Sequence, residues 1–514
     1  MTRAPAARGG DPSAGRGILG FVSAHLQDGL KRNSRTRTGL GTFVPTRLLH
    51  LTLALAALSC ALAIHGTNAF AGPLIGVADD DVLTSGDKIG DQTVAEWKKN
   101  GVDVVRLTAV WNHIAPTPNA TKAPTGFRAA DPNASGYYWY ELDTAIRRVR
   151  DAGLPVSLTI TGPGPVWASS EPRRRRGALN PRISEVTKFA EAVALRYKDD
   201  VNQYILWNEP NLSLFLEPQQ TCKRRSCTMV AAHLYRRIVR AAYPAIKRAD
   251  PGSQVLIGAL APRGAVRANT AVSPLSFLRA FACVDARFRK LRTGYCSGFQ
   301  PAKGDGFAIH PYSGRRAPGL ATRVADDIDL ASLPKLERVL DRLQRMGRIR
   351  ATTGRFGLYI DEYGFQTNPP DRVSGVSPKT QDAWLQQAAY MAWRDNRVKL
   401  FVQYLWRDSP KRNGSWATWQ SGVRYQNGGA KPSLAHFGMP FFLDVPRGRL
   451  WGQVRPGGRQ RVFVQQRGPG STQWRTVKQV MTDSLGYWVL KRRLLPRTSY
   501  RFATLDATSG SRQR

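Results

Sequence analysis

Two glutamates stand where an apolar run breaks abruptly into polar residues. The first lies in Tyr204-Ile205-Leu206-Trp207-Asn208-Glu209-Pro210-Asn211, the second in Phe356-Gly357-Leu358-Tyr359-Ile360-Asp361-Glu362-Tyr363-Gly364. Each apolar run has strand composition and ends in a carboxylate. Behind Glu209 a proline removes the N–H that further strand pairing would need. Two carboxyls at two strand ends can share work on one bond. One, protonated, helps an oxygen leave while the other, ionised, attacks the carbon, which is the division that glycosidic bond cleavage requires. Carboxyls in unequal surroundings can hold these opposite states at a single pH. The plain alternative is a pair of solvated carboxylates at strand ends. It leaves unexplained the Trp-Asn before Glu209 and the Pro-Asn after it.

Such a pair needs elements that bring distant strand ends to one place. From residue 72 to about 443 short apolar runs alternate with amphipathic stretches. Strands are expected at 74–78, 104–108, 156–161, 204–208, 255–258, 306–310, 358–361 and 400–406. Helical periodicity marks 142–152, 186–197, 231–250 and 333–346. Gly153 closes the first of these helices and Pro155 follows it. Eight strands separated by helices predict a parallel sheet. An open doubly wound sheet is the competing architecture, but no G-x-G-x-x-G follows the first strand. A (β/α)8 barrel brings all eight strand ends to one mouth. After Pro446 the texture changes to short strands near 450–454, 461–466, 475–480, 487–490 and 499–504, separated by Gly and Pro turns, which predicts a small C-terminal β-sandwich. The expected organisation is therefore a lead at 1–71, a barrel at 72–443 and a sandwich at 444–514, the last either binding substrate or packing on the barrel.

With these motifs in place, the chain resembles the clan A glycoside hydrolases. Trp207-Asn208-Glu209-Pro210 falls at the fourth strand and Ile360-Asp361-Glu362-Tyr363-Gly364 at the seventh. Within the clan it is most similar to the cellulase-like family 5 and the family 39 enzymes, over about residues 72–442. The resemblance implies Glu209 as acid/base and Glu362 as nucleophile of a retaining double displacement, with carboxyls about 5–5.5 Å apart. It implies that Arg106 orients the nucleophile, Asn208 holds the substrate 2-hydroxyl, Tyr312 hydrogen-bonds the nucleophile, His310 lines the sugar site and Trp406 forms its floor. Arg106 could instead pair with a structural carboxylate, His310 could be a buried core histidine, and Trp406 could be ordinary core. Trp111, Trp167, Tyr138 and Trp139 are further stacking candidates, because sugar rings present flat C–H faces to aromatics. The segment Thr108 to His113 and the loop from Pro210 to Thr228 match no substrate class. The resemblance implies a β-linked carbohydrate substrate and neither metal nor organic cofactor. A non-catalytic carbohydrate-binding barrel is the alternative.

The chain carries 76 Lys and Arg against 37 Asp and Glu, a formal charge of +39. These cations are spread along the sequence, and no nucleic-acid-binding motif accompanies them, so no nucleic acid is expected as partner. A solvated basic surface is the simpler reading. An anionic wall polymer is the other, and steep salt dependence would mark it. At the N-terminus a basic lead precedes an apolar stretch at 48–64 and then Ala69-Phe70-Ala71, the pattern of an export signal cut after Ala71. Left uncut, residues 48–64 would anchor the chain in a membrane. Cys60 lies inside the apolar stretch and is discounted as a lipidation site. Cys222, Cys227, Cys283 and Cys296 remain. They allow three pairings, of which the local Cys222–Cys227 and Cys283–Cys296 is the simplest. Zinc is a weaker reading, since the spacing is wrong for paired C-x-x-C ligands. Disulfides and an export signal both point to a secreted, extracellular protein.

Overall fold

The structure, a computed structural model, describes residues 72–223, 226–265, 269–412 and 418–514. The basic lead, the apolar stretch at 48–64, Cys60 and the expected cut after Ala71 lie outside the described residues.

Eight parallel strands close into a barrel. They are β1 (Leu74–Ala78), β2 (Val104–Val110), β3 (Val156–Thr161), β4 (Val201–Leu206), β5 (Gln254–Leu260), β6 (Gly306–Ile309), β7 (Leu358–Tyr363) and β8 (Val398–Tyr404). Each strand pairs with its sequence neighbours, and β1 pairs with β8 to close the ring. The strands are apolar on both faces because one face fills the barrel and the other meets the helices. Val105, Leu158, Ile205, Leu256, Ala308 and Val402 are all fully buried.

One principal helix follows each strand: α1 (Asp87–Lys99), α2 (Tyr140–Asp151), α3 (Ile183–Tyr197), α4 (Val230–Ala249), α5 (Pro274–Phe281), α6 (Leu333–Arg345), α7 (Pro378–Arg394) and α8 (Pro432–Phe437). Their apolar stripes explain the docking. In α6, Leu333, Leu336, Leu340 and Leu343 recur at three and four and are all buried. At the end of α2, Gly153 takes φ +74°, a left-handed conformation that glycine adopts without a Cβ penalty. The Ser377 hydroxyl caps α7 by accepting from the Thr380 N–H at 3.0 Å.

The C-terminal region is a sandwich of two antiparallel sheets. One joins β9 (Phe441–Asp444), β10 (Arg449–Gln453) and β13 (Tyr487–Lys491). The other joins β11 (Arg461–Arg467), β12 (Arg475–Met481), β14 (Ser499–Ala503) and β15 (Arg512–Gln513) in the order β12-β11-β14-β15. The first sandwich strand starts at Phe441, a little before the texture change in the sequence, because β9 pairs with β10. The sandwich packs on the barrel through Trp451 and Tyr487, which meet Tyr390 and Trp393 of α7. The Tyr487 hydroxyl also donates to the Pro73 carbonyl at 2.8 Å, beside the start of β1.

Both local disulfides are present. Cys222–Cys227 closes a hairpin of Thr221–Lys223 and Ser226–Thr228. Cys283–Cys296 closes a loop between α5 and β6. Their sulfurs are bonded to each other, so neither pair is available as thiolate ligands. Among the described residues no helix is long and apolar enough to cross a membrane.

Candidate active site

The fold delivers Glu209 through a strained turn. Trp207 and Glu209 have φ +73° and +40°, a region that side-chain-bearing residues rarely occupy. Neighbouring strands hold the turn in place. The Asn208 N–H donates to Thr161 Oγ1 at 3.0 Å, and the Glu209 N–H donates to the Ala259 carbonyl at 2.9 Å. That carbonyl is in reach because β5 slips register against β6 between Gly258 and Leu260. Gly258, at φ +110°, permits the slip, since a Cβ there would lie 2.5 Å from the Ala308 carbonyl oxygen. Beyond Pro210, Asn211 is fully buried and bonds the backbone at Ala261 and Val272. Strained conformations persist where the surroundings over-determine them, as they do here.

Glu362 arrives on β7 and is 6% exposed. Its Oε1 lies 3.1 Å from Arg106 Nη2, and its Oε2 accepts from the Tyr312 hydroxyl at 3.0 Å. Arg106 also donates to Asn208 Oδ1 at 2.8 Å and to Thr108 Oγ1 at 3.0 Å. His310 sits between the glutamates. Its Nδ1 is 3.0 Å from Glu209 Oε1 and 3.5 Å from Glu362 Oε2. These two oxygens can be no farther apart than those contacts laid end to end, about 6.5 Å, the lower edge of the spacing that accommodates a water between carboxyls. Six of the seven expected residues, Arg106, Asn208, Glu209, His310, Tyr312 and Glu362, therefore form one connected cluster.

Trp406 is not brought to it. The Trp406 and Arg407 N–H groups both donate to Asp79 Oδ2, at 3.0 and 2.9 Å, which directs the chain away from the mouth. The indole N–H donates to Glu96 Oε2 of α1 at 2.9 Å, and the ring packs on Trp97 and Phe437. From the end of β8 it is Tyr404 that lines the cavity with Glu362. Of the other stacking candidates, Trp111, Trp139 and Trp167 are buried around Phe189 and Phe127. Tyr138 is 54% exposed and does line the cavity.

Asp361 was legible in the sequence only as a neighbour of Glu362. Alternation would send consecutive strand residues to opposite faces. A register shift against β8 between Ile360 and Tyr363 bends that rule. Asp361 Oδ2 thus reaches His310 Nε2 at 3.2 Å, fully buried. Asp80 is a further addition: it accepts from the Thr108 N–H at 2.8 Å and from its hydroxyl at 3.1 Å, holding the residue that holds Arg106.

The electrostatics follow from burial and these contacts. Burial pushes the Glu362 carboxyl above its ordinary value, against the opposing charges of His310 and Arg106. Burial alone would lower the His310 imidazole. The charges of Glu362 and Asp361, with hydrogen bonds to Asp361 and Glu209, instead hold it well above its usual range. Burial and the Glu362 charge likewise hold the Tyr312 phenol protonated and able to donate.

The cluster opens into a cavity of about 350 Å³ lined by Asp80, Arg106, Asn208, Glu362 and Tyr404. A second cavity of about 350 Å³ shares Asp80, Asp81 and Tyr404 with it and reaches Trp419. Trp419 is 41% exposed and packs against both Tyr312 and Tyr404. The result is an open groove with polar, apolar and aromatic walls.

No protein-family model matches the chain, and neither does any curated protein. Among solved structures it is similar to a family 39 glycoside hydrolase from Bacteroides cellulosilyticus WH2, at 14% identity and TM-score 0.47, covering 84% of this chain and 81% of that one. It is also similar to a GH5_18 variant from Streptomyces cattleya in complex with Manβ1-4GlcNAc, at 14% identity and TM-score 0.45, covering 70% and 78%. A third is Bacteroides uniformis β-glucuronidase 2, at 9% identity and TM-score 0.41, where 86% of this chain spans 45% of that one. At these scores the barrel assignment rests on the strand pairing itself.

Proposed function

We propose that the chain is a retaining glycoside hydrolase acting on a β-linked carbohydrate outside the cell. The observation that carries the reading is the single imidazole of His310 within reach of both Glu209 and Glu362. It caps one oxygen–oxygen distance between the two carboxyls at about 6.5 Å, the lower edge of the range that admits an attacking water, which favours direct attack by a carboxylate.

In the first step Glu209 gives its proton to the glycosidic oxygen. The bond from that oxygen to the anomeric carbon breaks, and a Glu362 oxygen forms an ester with the carbon. In the second step Glu209, now ionised, takes a proton from water, whose oxygen displaces Glu362. Arg106 and His310 supply the positive charge that favours the Glu362 carboxylate, and Tyr312 orients it by donating to one oxygen. Asn208, fixed by Arg106, faces the same cavity and is placed to bind a sugar hydroxyl. The two carboxyls suffice for this chemistry, and no metal or organic cofactor takes part in it. Secretion accords with the expected export signal and with two disulfides, which persist in oxidising compartments.

A panel of aryl β-glycosides and soluble β-glycans tests this reading. Release of aglycone or reducing sugar is expected from the wild type, with loss of about 10⁴- to 10⁶-fold in Glu362→Gln at unchanged melting temperature. Near-normal hydrolysis by that variant would overturn the assignment.

A further inference from the structure

The sandwich is far more basic than the chain it belongs to. Residues 444–514 contain 15 Lys and Arg, against only Asp444, Asp483 and Asp506. None of these acids serves the outer face of the β12-β11-β14-β15 sheet. Asp444 bonds Tyr390 and Arg447, and Asp483 accepts backbone N–H groups of Leu485 and Tyr487. The Asp506 N–H donates to Thr504 Oγ1 at 3.4 Å, in the turn beyond β14.

Strand alternation sorts the side chains. Val462 and Val464 of β11 and Tyr500 and Phe502 of β14 face the sandwich core. Arg461, Gln465 and Arg467 of β11 and Arg501 of β14 therefore share the opposite face. Gln465 pairs with Arg501 in register, and its amide oxygen accepts from Arg501 Nε at 2.7 Å. Trp474, one residue ahead of β12, carries both guanidinium groups: Arg467 lies 4.9 Å and Arg501 4.3 Å from its ring centroid. Neither arginine has a carboxylate partner among the described residues. Arg501 is lowered by burial and by the like charge of Arg467. Two guanidinium groups held on one indole against their mutual repulsion, with no carboxylate paired to either, form a receptor for an external anion.

We propose that this face binds an acidic polysaccharide, with Arg467 and Arg501 pairing its carboxylates and Trp474 positioning the two arginines. The fit is electrostatic, positive sheet to negative polymer. The indole is taken up by guanidinium groups, which leaves it poorly suited to stack a nucleic-acid base. This site is separate from the barrel cavity and does not depend on the proposed hydrolysis.

The test is affinity of the full secreted chain for polygalacturonate at 50 and 200 mM salt, with dextran as neutral control. Binding is expected to the acidic polymer alone and to weaken with salt. Arg467→Gln with Arg501→Gln should cost tenfold or more and flatten the salt dependence. Arg173→Gln with Arg175→Gln, which removes equal charge from an exposed barrel loop, should cost less than twofold. Trp474→Ala, which changes no charge, should fall between them. Melting temperature monitors folding of each variant. Equal losses in the two charge-matched variants, no binding by the wild type, or tighter binding of a single-stranded RNA would each overturn the proposal.

Discussion

At the end of β4, Trp207 turns into left-handed backbone and the next two side chains face the barrel mouth; at the end of β8, Trp406 continues outward and buries its indole against α1. Both stretches are apolar runs that finish on a tryptophan near polar residues. They differ in what grips the backbone. Thr161 and Ala259 hold the first turn from either side and direct Asn208 and Glu209 inward. Asp79 takes both N–H groups at the second and leaves the inner wall to Tyr404. The chemistry at a strand end is thus decided by the hydrogen bonds on the flanking strands as much as by the residue that stands there.

The sharpest way to break this comparison is at Glu209 itself. Glu209→Gln keeps the turn but removes the transferable proton, and kcat/KM, which reads the bond-breaking first step, should fall by about 10²- to 10⁴-fold. The fall should be smaller for aryl glycosides whose leaving group needs no protonation. Steady-state kinetics on paired substrates measures it, and equal losses on both would remove the acid role.

Substitution on the two sides of β8 should separate function from packing. Tyr404→Ala is expected to lower kcat/KM about tenfold, the value of one aromatic contact of roughly 1.4 kcal/mol. Trp406→Phe should leave kcat/KM within about twofold and cost about 2 kcal/mol of stability, from the lost hydrogen bond to Glu96. Denaturant unfolding beside the kinetics reads both. The reverse pattern would return the floor of the site to Trp406.

The smallest expected effect is on pH. Burial raises Glu362, so its ionised form, and with it kcat/KM, is lost as pH falls through a value above the ordinary carboxylate range. Arg106 opposes that rise. Arg106→Gln should therefore move the acid limb of the profile upward, by about one pH unit or more, while lowering its plateau. An acid limb that moves downward would contradict the placement of Arg106 against Glu362.

Much of this was legible in the sequence, for physical reasons. The eight apolar runs show because barrel strands are buried on both faces, and Glu209 and Glu362 show because a carboxylate ending such a run is conspicuous. Arg106, His310 and Tyr312 came through resemblance, and the structure gathers them at the same pair. What escaped depends on details that no periodicity encodes. Asp361 reaches His310 only because β7 shifts register, and Tyr404 replaces Trp406 only because Asp79 takes the backbone of the next turn. Asp80 was hidden because its role runs through Thr108 rather than through a motif of its own.

The most direct test of the central claim is the configuration of the first-formed sugar. Proton NMR, recorded during the earliest turnover of the best substrate in the panel, follows the anomer before mutarotation. Two displacements at Glu362 predict that the β-anomer appears first and the α-anomer grows in later. First appearance of the α-anomer would mean a single displacement by water, and would contradict Glu362 as the nucleophile.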